Sequence, residues 1–386
     1  MSTFALWAFG DSHVGTDLKR DRQSLAAALR TVERGGEEGG PPGKWDIAID
    51  IGDMSGGQAV PDDAEGAEVV WQFGVLEDHR REDIYSVCGN HDRSGLDEPQ
   101  AWWWRKWVDP TGEQSQFSGV DAARRPYPIE GTWERYSFKV GNILFLLMSD
   151  INEPSQRVGR GDLGGNPVGV VSAQTFAWWR EMVAAHPAHL IVSVHHYMLK
   201  DTTVASGDWE GMRKDEDGNW QSYYHGYKPQ GAPIGASYLY FVGSRPDSGA
   251  FENYLQAHPG AVDLWLGGHT HTHPDDLFGG KSHIETRWGG THFVNVACLS
   301  RYPGPANVPK SRLFTFAEGS DEVRVQCYMH TGEFLPQGWY GAAERVLKLT
   351  RPFSWTDAGE SLKLQQNSKA PGQYGTQAQR TAASRP

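Results

Sequence analysis

The chain has 386 residues, 36 Lys plus Arg against 48 Asp plus Glu, a formal net charge of −12, and 38% hydrophobic content. That is the texture of a globular protein with ample core material, and apolar runs such as Ile143–Met148 fall far short of the ~20 residues a membrane span needs. No basic stripe invites a nucleic-acid backbone, no basic leader opens the chain, and Cys88, Cys298 and Cys327 make no disulfide framework, so a cytoplasmic protein with a small partner is expected.

Phe4–Phe9 reads as a strand ending in Gly10-Asp11-Ser12-His13, followed by helical spacing over Leu18–Glu33. Trp45–Ile51 is a second strand ending in Gly52-Asp53; Ala64–Arg81 reads as a helix, and Asp83–Cys88 as a strand ending in Gly89-Asn90-His91-Asp92. Tyr136–Val140 and Asn142–Met148 flank Gly141 as a hairpin. Ser172–Ala185 is a helix with Ser172 as N-cap and Trp178, Met182 and Ala185 on one face. His189–Val194 is a buried-type strand ending in His195-His196. Residues 200–249 lose periodicity and become rich in Gly, Tyr and Trp, which suggests a functional lid or insertion. Phe251–His258 resumes helix, and Ala261–Leu266 is a strand ending in Gly267-Gly268-His269-Thr270-His271. Thr291–Cys298, Arg312–Phe316 and Val323–Tyr328 look like closing antiparallel strands; beyond about Ser361 the chain is polar and Gln/Ala/Ser-rich, a tail of disordered type. Alternating strands and helices predict an α/β fold, in which function gathers after the strands' C-terminal ends.

Five strand ends carry oxygen and nitrogen ligands: Asp11/His13, Asp53, Asn90/His91, His195/His196 and His269/His271. Residues two apart in extended chain point the same way, so Asp11 with His13, and His269 with His271, can each converge on one point. Carboxylate, imidazole and amide oxygen without thiolate suit Mn, Fe or Zn. Each motif alone also has a bland reading as a turn or loop, but five in this order do not. Such a set exceeds one ion's need, and two ions sharing a bridging carboxylate fit it. Bound metal also reverses the local sign of charge, so an acidic chain can take an anionic substrate.

The ordered set Asp11-x-His13, Gly52-Asp53, Gly89-Asn90-His91-Asp92, His195 and Gly268-His269-x-His271, over residues 4–330, resembles the calcineurin-like metallophosphoesterase superfamily. The resemblance implies a four-layer αββα sandwich over residues 1–350 with a lid-like insertion at 200–249, and a C-terminal extension at 351–386. It implies a dinuclear centre in which Asp11, His13, Asp53 and His271 hold one divalent ion, Asn90, His195 and His269 complete a second, and Asp53 bridges. By the same resemblance His91 is no ligand but protonates or stabilises the leaving oxygen, while a hydroxide shared by the ions attacks in line. The activity implied is phosphate-ester hydrolysis, with a small organic diester the expected substrate and a monoester the alternative. A scaffold binding protein at this surface would tolerate loss of His91, which is present.

Three departures from related branches stand out. Gly56 occupies the place of the purple acid phosphatases' Tyr and of the Asp that orients the catalytic His in protein Ser/Thr phosphatases, leaving Asp92 or another acid for that task. At His195-His196-Tyr197 many relatives read His-x-Pro; His195 is assigned as ligand because it directly follows its strand, with His196 behind it. His273, by contrast, reads as a loop or supporting residue. Trp102-Trp103-Trp104 sweep ~200° of a helix, so they cannot all face one core; with Trp107, at least one meets another element, a lid or a subunit in a homo-oligomer, with plain packing the alternative. Aromatics at Trp209, Trp220, Tyr223, Tyr224, Tyr227, Tyr238 and Tyr240 suit the insertion either to recognise an organic leaving group or to form its own small core; with Lys200, Arg213 and Lys228, choice of substrate is the expectation.

Overall fold

The computed structural model describes residues 2–359 except 15–22, 58, 96, 150–158, 161–164, 168, 209, 211, 215–216, 218–219, 223–236, 244, 247–248 and 303–306. We number only the strands of its two large sheets. The first contains β1 (Thr3–Phe9), β2 (Ile47–Asp50) and β3 (Ile84–Ser86). The second contains β4 (Glu130–Thr132), β5 (Arg135–Val140), β6 (Ile143–Met148), β7 (Leu190–Val194), β8 (Leu264–Gly267), β9 (Ile284–Arg287) and β10 (Thr291–Asn295). The chain then returns to the first sheet as β11 (Lys310–Ala317), β12 (Glu322–Met329), β13 (Gly338–Trp339) and β14 (Arg345–Lys348). Spatial order is β13-β12-β11-β1-β2-β3 in one sheet, with β14 also on β12, and β9-β10-β8-β7-β6-β5-β4 in the other.

Period-two alternation builds the layers. On β1, Phe4, Leu6 and Ala8 face the opposing sheet, where Ile143, Phe145 and Leu147 of β6 and Leu190, Val192 and Val194 of β7 meet them. Trp7 and Phe9 point outward and pack on Leu25, Leu29 and Val32 of α1 (Ser24–Arg34) and Val69 and Phe73 of α2 (Asp63–Phe73). Across the molecule, Leu144 and Leu146 with Trp265 and Phe293 carry Trp179 and Val183 of the helix Ala173–Ala185 and Phe251 and Leu255 of the helix Ala250–Ala257. Helix, sheet, sheet, helix is the expected four-layer sandwich.

Several local expectations shift. Ser172 does cap the helix Ala173–Ala185, accepting from Thr175 N at 3.0 Å, but its buried positions are Thr175, Trp179 and Val183, one residue out of phase with the expected stripe. The second helix stops at Phe73 rather than Arg81. Thr291–Asn295 is not an antiparallel closing strand: it pairs parallel to β8 and antiparallel only to β9, which supplies the edge hairpin. Phe353 and Trp355 lie in the core between the sheets, so the sandwich continues past the boundary expected at 350. Trp103 and Trp104 are buried against the α2 layer, and Trp107 covers Gly66 of α2, so the tryptophan run finds its second element inside the chain.

Of the insertion, Leu239–Val242 pairs parallel to Gly169–Val171, Met212–Lys214 pairs with Trp220–Ser222, and Lys200 is tied to Asp208 at 2.8 Å. Trp209, Tyr223, Tyr224, Tyr227, Lys228, the helix start at Leu18 and the tail beyond Ser361 lie outside the described residues. Among the described residues no helix is long and apolar enough to cross a membrane.

Candidate metal centre

Loops leaving β1, β2, β3, β7 and β8 meet at one end of the sandwich. Asp11, His13 and His271 form one group of converging donors, and Asp53, His196 and His269 another. His271 Nε2 is 2.8 Å from Asp11 Oδ1 and 3.3 Å from His13 Nε2. On the other side Asn90 Oδ1 is 2.9 Å from His196 Nε2 and 2.8 Å from His269 Nδ1. Asp53 Oδ2 stands between the two sets, 3.8 Å from His13 Nε2 and 3.3 Å from His196 Nε2.

Backbone carbonyls aim the imidazoles. His13 Nδ1 donates to Ser55 O at 2.8 Å, His271 Nδ1 to Tyr302 O at 2.6 Å, and His196 Nδ1 to Ile51 O at 2.8 Å. A carbonyl only accepts, so in each neutral ring Nε2 is left as an acceptor facing the centre. Around Asp11, His13 and His271 such acceptors held ~3 Å apart would repel one another, yet that is the spacing of neighbouring ligands around an ion bonded to each at ~2.0–2.2 Å, and His196 Nε2 joins its own set as an acceptor once its proton leaves. The donor set therefore fits divalent cations on both sides of Asp53. The same carbonyl anchoring is the usual second layer of metal-binding histidines.

Burial shapes the charges. Burial pushes His13 well below the usual histidine range, with His91 adding to the effect. Burial also opposes a charged His196, but Asp53 outweighs it and lifts the group to about 9. For Asp53 burial acts upward, and His196, His91 and His13 together bring the carboxyl well below its ordinary range. Asp11, His13, Asp53 and His269 all hold left-handed backbone conformations, φ 44–66°, a strain typical of functional positions.

The structure exchanges the two adjacent histidines. His196, not His195, reaches Asn90 and Asp53. His195 Nδ1 turns to Tyr197, whose N–H donates to it at 3.0 Å, and burial presses His195 down to about 3. The reason is parity: His196 continues the inward series Leu190, Val192, Val194, while His195 continues Ile191 and Ser193 toward the helices.

Asp92 does not orient His91. Its carboxylate accepts from the N–H groups of Asp53 (3.0 Å), Ser55 (2.9 Å) and Gly89 (2.8 Å), clamping two ligand loops together. The partner of His91 Nδ1 is the Gly57 carbonyl at 2.6 Å, in a loop that Glu65 holds through Ser55 Oγ and Gly56 N. His91 Nε2 then lies 4.0 Å from Asp53 Oδ2. His273 stands apart, its ring on Phe334.

The sequence reading missed Glu65 and Tyr302. The Tyr302 ring packs 4.5 Å from His13 and 5.4 Å from His91, centroid to centroid.

Residues 4–273 match the family model described as calcineurin-like phosphoesterase. No curated protein matches. Similar solved structures include a conserved uncharacterized protein, a predicted phosphoesterase, from Streptococcus pneumoniae TIGR4 (12% identity, 90% of this chain and 99% of that one, TM-score 0.32). They also include Vps29 of Chaetomium thermophilum (10% identity, 90% and 100%, TM-score 0.32) and GAP50, the anchor in the inner membrane complex of Plasmodium (8% identity, 94% of each, TM-score 0.44). With its sandwich, its clustered Asp and His donors and a family match over most of its length, this chain belongs to the calcineurin-like phosphoesterase family.

Proposed function

We propose that the protein is a dinuclear-metal-dependent phosphodiesterase acting on small organic diesters. The observation that supports this most is Asp53 Oδ2 standing between two sets of buried acceptors with His91 beside it. Asp11, His13, Asp53 and His271 would hold one ion, and Asp53, Asn90, His196 and His269 the other, with Mn, Fe or Zn suited to such donors. When bound, two such ions supply charge to neutralise phosphoryl oxygens and to activate water.

The chain's own residues do the rest. Gly57 accepts from His91 Nδ1–H, so it is the protonated imidazolium whose Nε2–H is delivered to the leaving oxygen, leaving the neutral Nδ1–H ring. Asp92 and Glu65 hold the loops of Asp53 and Gly57 in place. Tyr302 offers an aromatic wall beside His13 and His91 for an organic leaving group.

A screen of aryl and alkyl mono- and diesters after reconstitution with Mn, Fe or Zn tests the reading. A kcat/KM at least tenfold higher for diesters is expected. The reverse preference would make the protein a monoesterase, and no turnover of either would leave a binding protein.

A further inference from the structure

Strand β11 presents Phe314 and Phe316 to the core between the sheets, and by alternation Lys310 and Arg312 share that face. Both are buried. Lys310 Nζ donates to Thr272 O at 2.8 Å. Arg312 has no carboxylate partner among the described residues: its Nε makes no hydrogen bond, and its Nη1 reaches only the Ala343 carbonyl at 3.4 Å. A buried guanidinium without a counter-charge is strongly unfavourable.

Arg312 lines a cavity of about 200 Å³ whose walls include His283, Ser282, Asp275 and Arg345. We propose that this cavity is a second site, separate from the metal centre, that binds a small oxyanion of phosphate or carboxylate type. Arg312 would take it through the planar fork suited to such anions, with exposed Arg345 at the mouth. Asp275 is the one acid among the cavity-lining residues and accepts from the Tyr340 hydroxyl. Ser282 is committed to Glu285 through its N–H and hydroxyl and takes no part. His283 faces Thr272 Oγ1 at 2.5 Å. At ~30 Å³ per water the volume corresponds to about seven waters, enough for an oxyanion with its hydration.

Calorimetric titration of metal-loaded protein with inorganic phosphate, sulfate and succinate tests the site. The wild type should take up two phosphates per chain, one at the metal centre and one here. Arg312→Met should abolish the second or weaken it at least tenfold, and should melt, without anion, no lower than wild type. Arg345→Gln, an exposed position, should weaken the second about fivefold and serves if Arg312→Met does not fold. Displacement of the second phosphate by sulfate alone marks a tetrahedral oxyanion site, and displacement by succinate a carboxylate site. A single phosphate in the wild type, or equal second-site affinity in wild type and Arg345→Gln, would overturn the proposal.

Discussion

Two loops of the metal centre approach so closely at Gly89 that one added methyl group must push them apart. A Cβ built on Gly89 falls 2.1 Å from Asp53 N and 2.2 Å from Asp53 Oδ1, where real Cβ contacts essentially never come under 3.0 Å. Asp53 and Gly89 must therefore separate by about 0.9 Å, the difference between 3.0 and 2.1 Å. Taken up between these loops, that displacement breaks the bond from His91 N to Asp53 Oδ1, now 2.8 Å. It also exceeds the ~0.2 Å tolerance of metal–ligand distances. A misplacement of ~1 Å typically costs ~10²-fold in rate, so Gly89→Ala should lower kcat by about two orders of magnitude and reduce bound metal. The assay pairs ester hydrolysis with metal analysis by mass spectrometry, and near-UV circular dichroism checks the fold. At a site free of such a clash the same change would add ~0.4–1 kcal/mol of stability. Wild-type turnover and metal content in Gly89→Ala would refute the crowding argument.

Four further outcomes follow from the same geometry. His91→Ala should retain its metal while losing ~10²–10⁴-fold in turnover of poor-leaving-group esters; loss of metal together with activity would make His91 a ligand. His196→Ala should lose bound metal, whereas His195→Ala should keep it, and the opposite pattern in metal analysis would restore the order expected from sequence. In metal-free protein His196 is raised to about 9, so near pH 8 it carries a proton that metal loading must release. Calorimetry in buffers of different ionisation enthalpy should find close to one proton at pH 8 and fewer above pH 10, and none at pH 8 would contradict the assignment. The same shift makes its contribution to metal-free stability complete below ~6.5 and lost as pH rises through about 9. Replacing residues 211–236 with a short Gly/Ser link should spare metal binding but change the ranking of kcat/KM across an ester panel; an unchanged ranking would give the insertion a structural role only.

Much of the centre was legible because its candidate ligands sit at the ends of strands that announce themselves. Apolar runs stopped by Gly10-Asp11, Gly52-Asp53 and Gly89-Asn90 locate three loops, and the sheets bring them together. The structure places His196 rather than His195 beside Asn90 and Asp53, because the parity of the strand, not adjacency to it, sets which side chain faces the centre. Leu190, Val192 and Val194 already define the face that His196 continues. The carbonyls of Ile51, Ser55, Gly57 and Tyr302 were not legible, since every residue carries one and only the folded backbone selects among them. Asp92 was visible as an acid near His91, but its partners are three N–H groups drawn together by the turn of two loops. Tyr302 follows a strand that was assigned the wrong partners, so nothing in its local pattern brought it to the metal ligands.

The central claim is that Asp53 joins two cation positions, and counting metal tests it most directly. Protein reconstituted with Mn or Zn, freed of loose ions and analysed by mass spectrometry should hold two ions per chain, and Asp53→Ala should hold fewer than one. A single ion in the wild type, or two ions retained without the Asp53 carboxylate, would contradict the account.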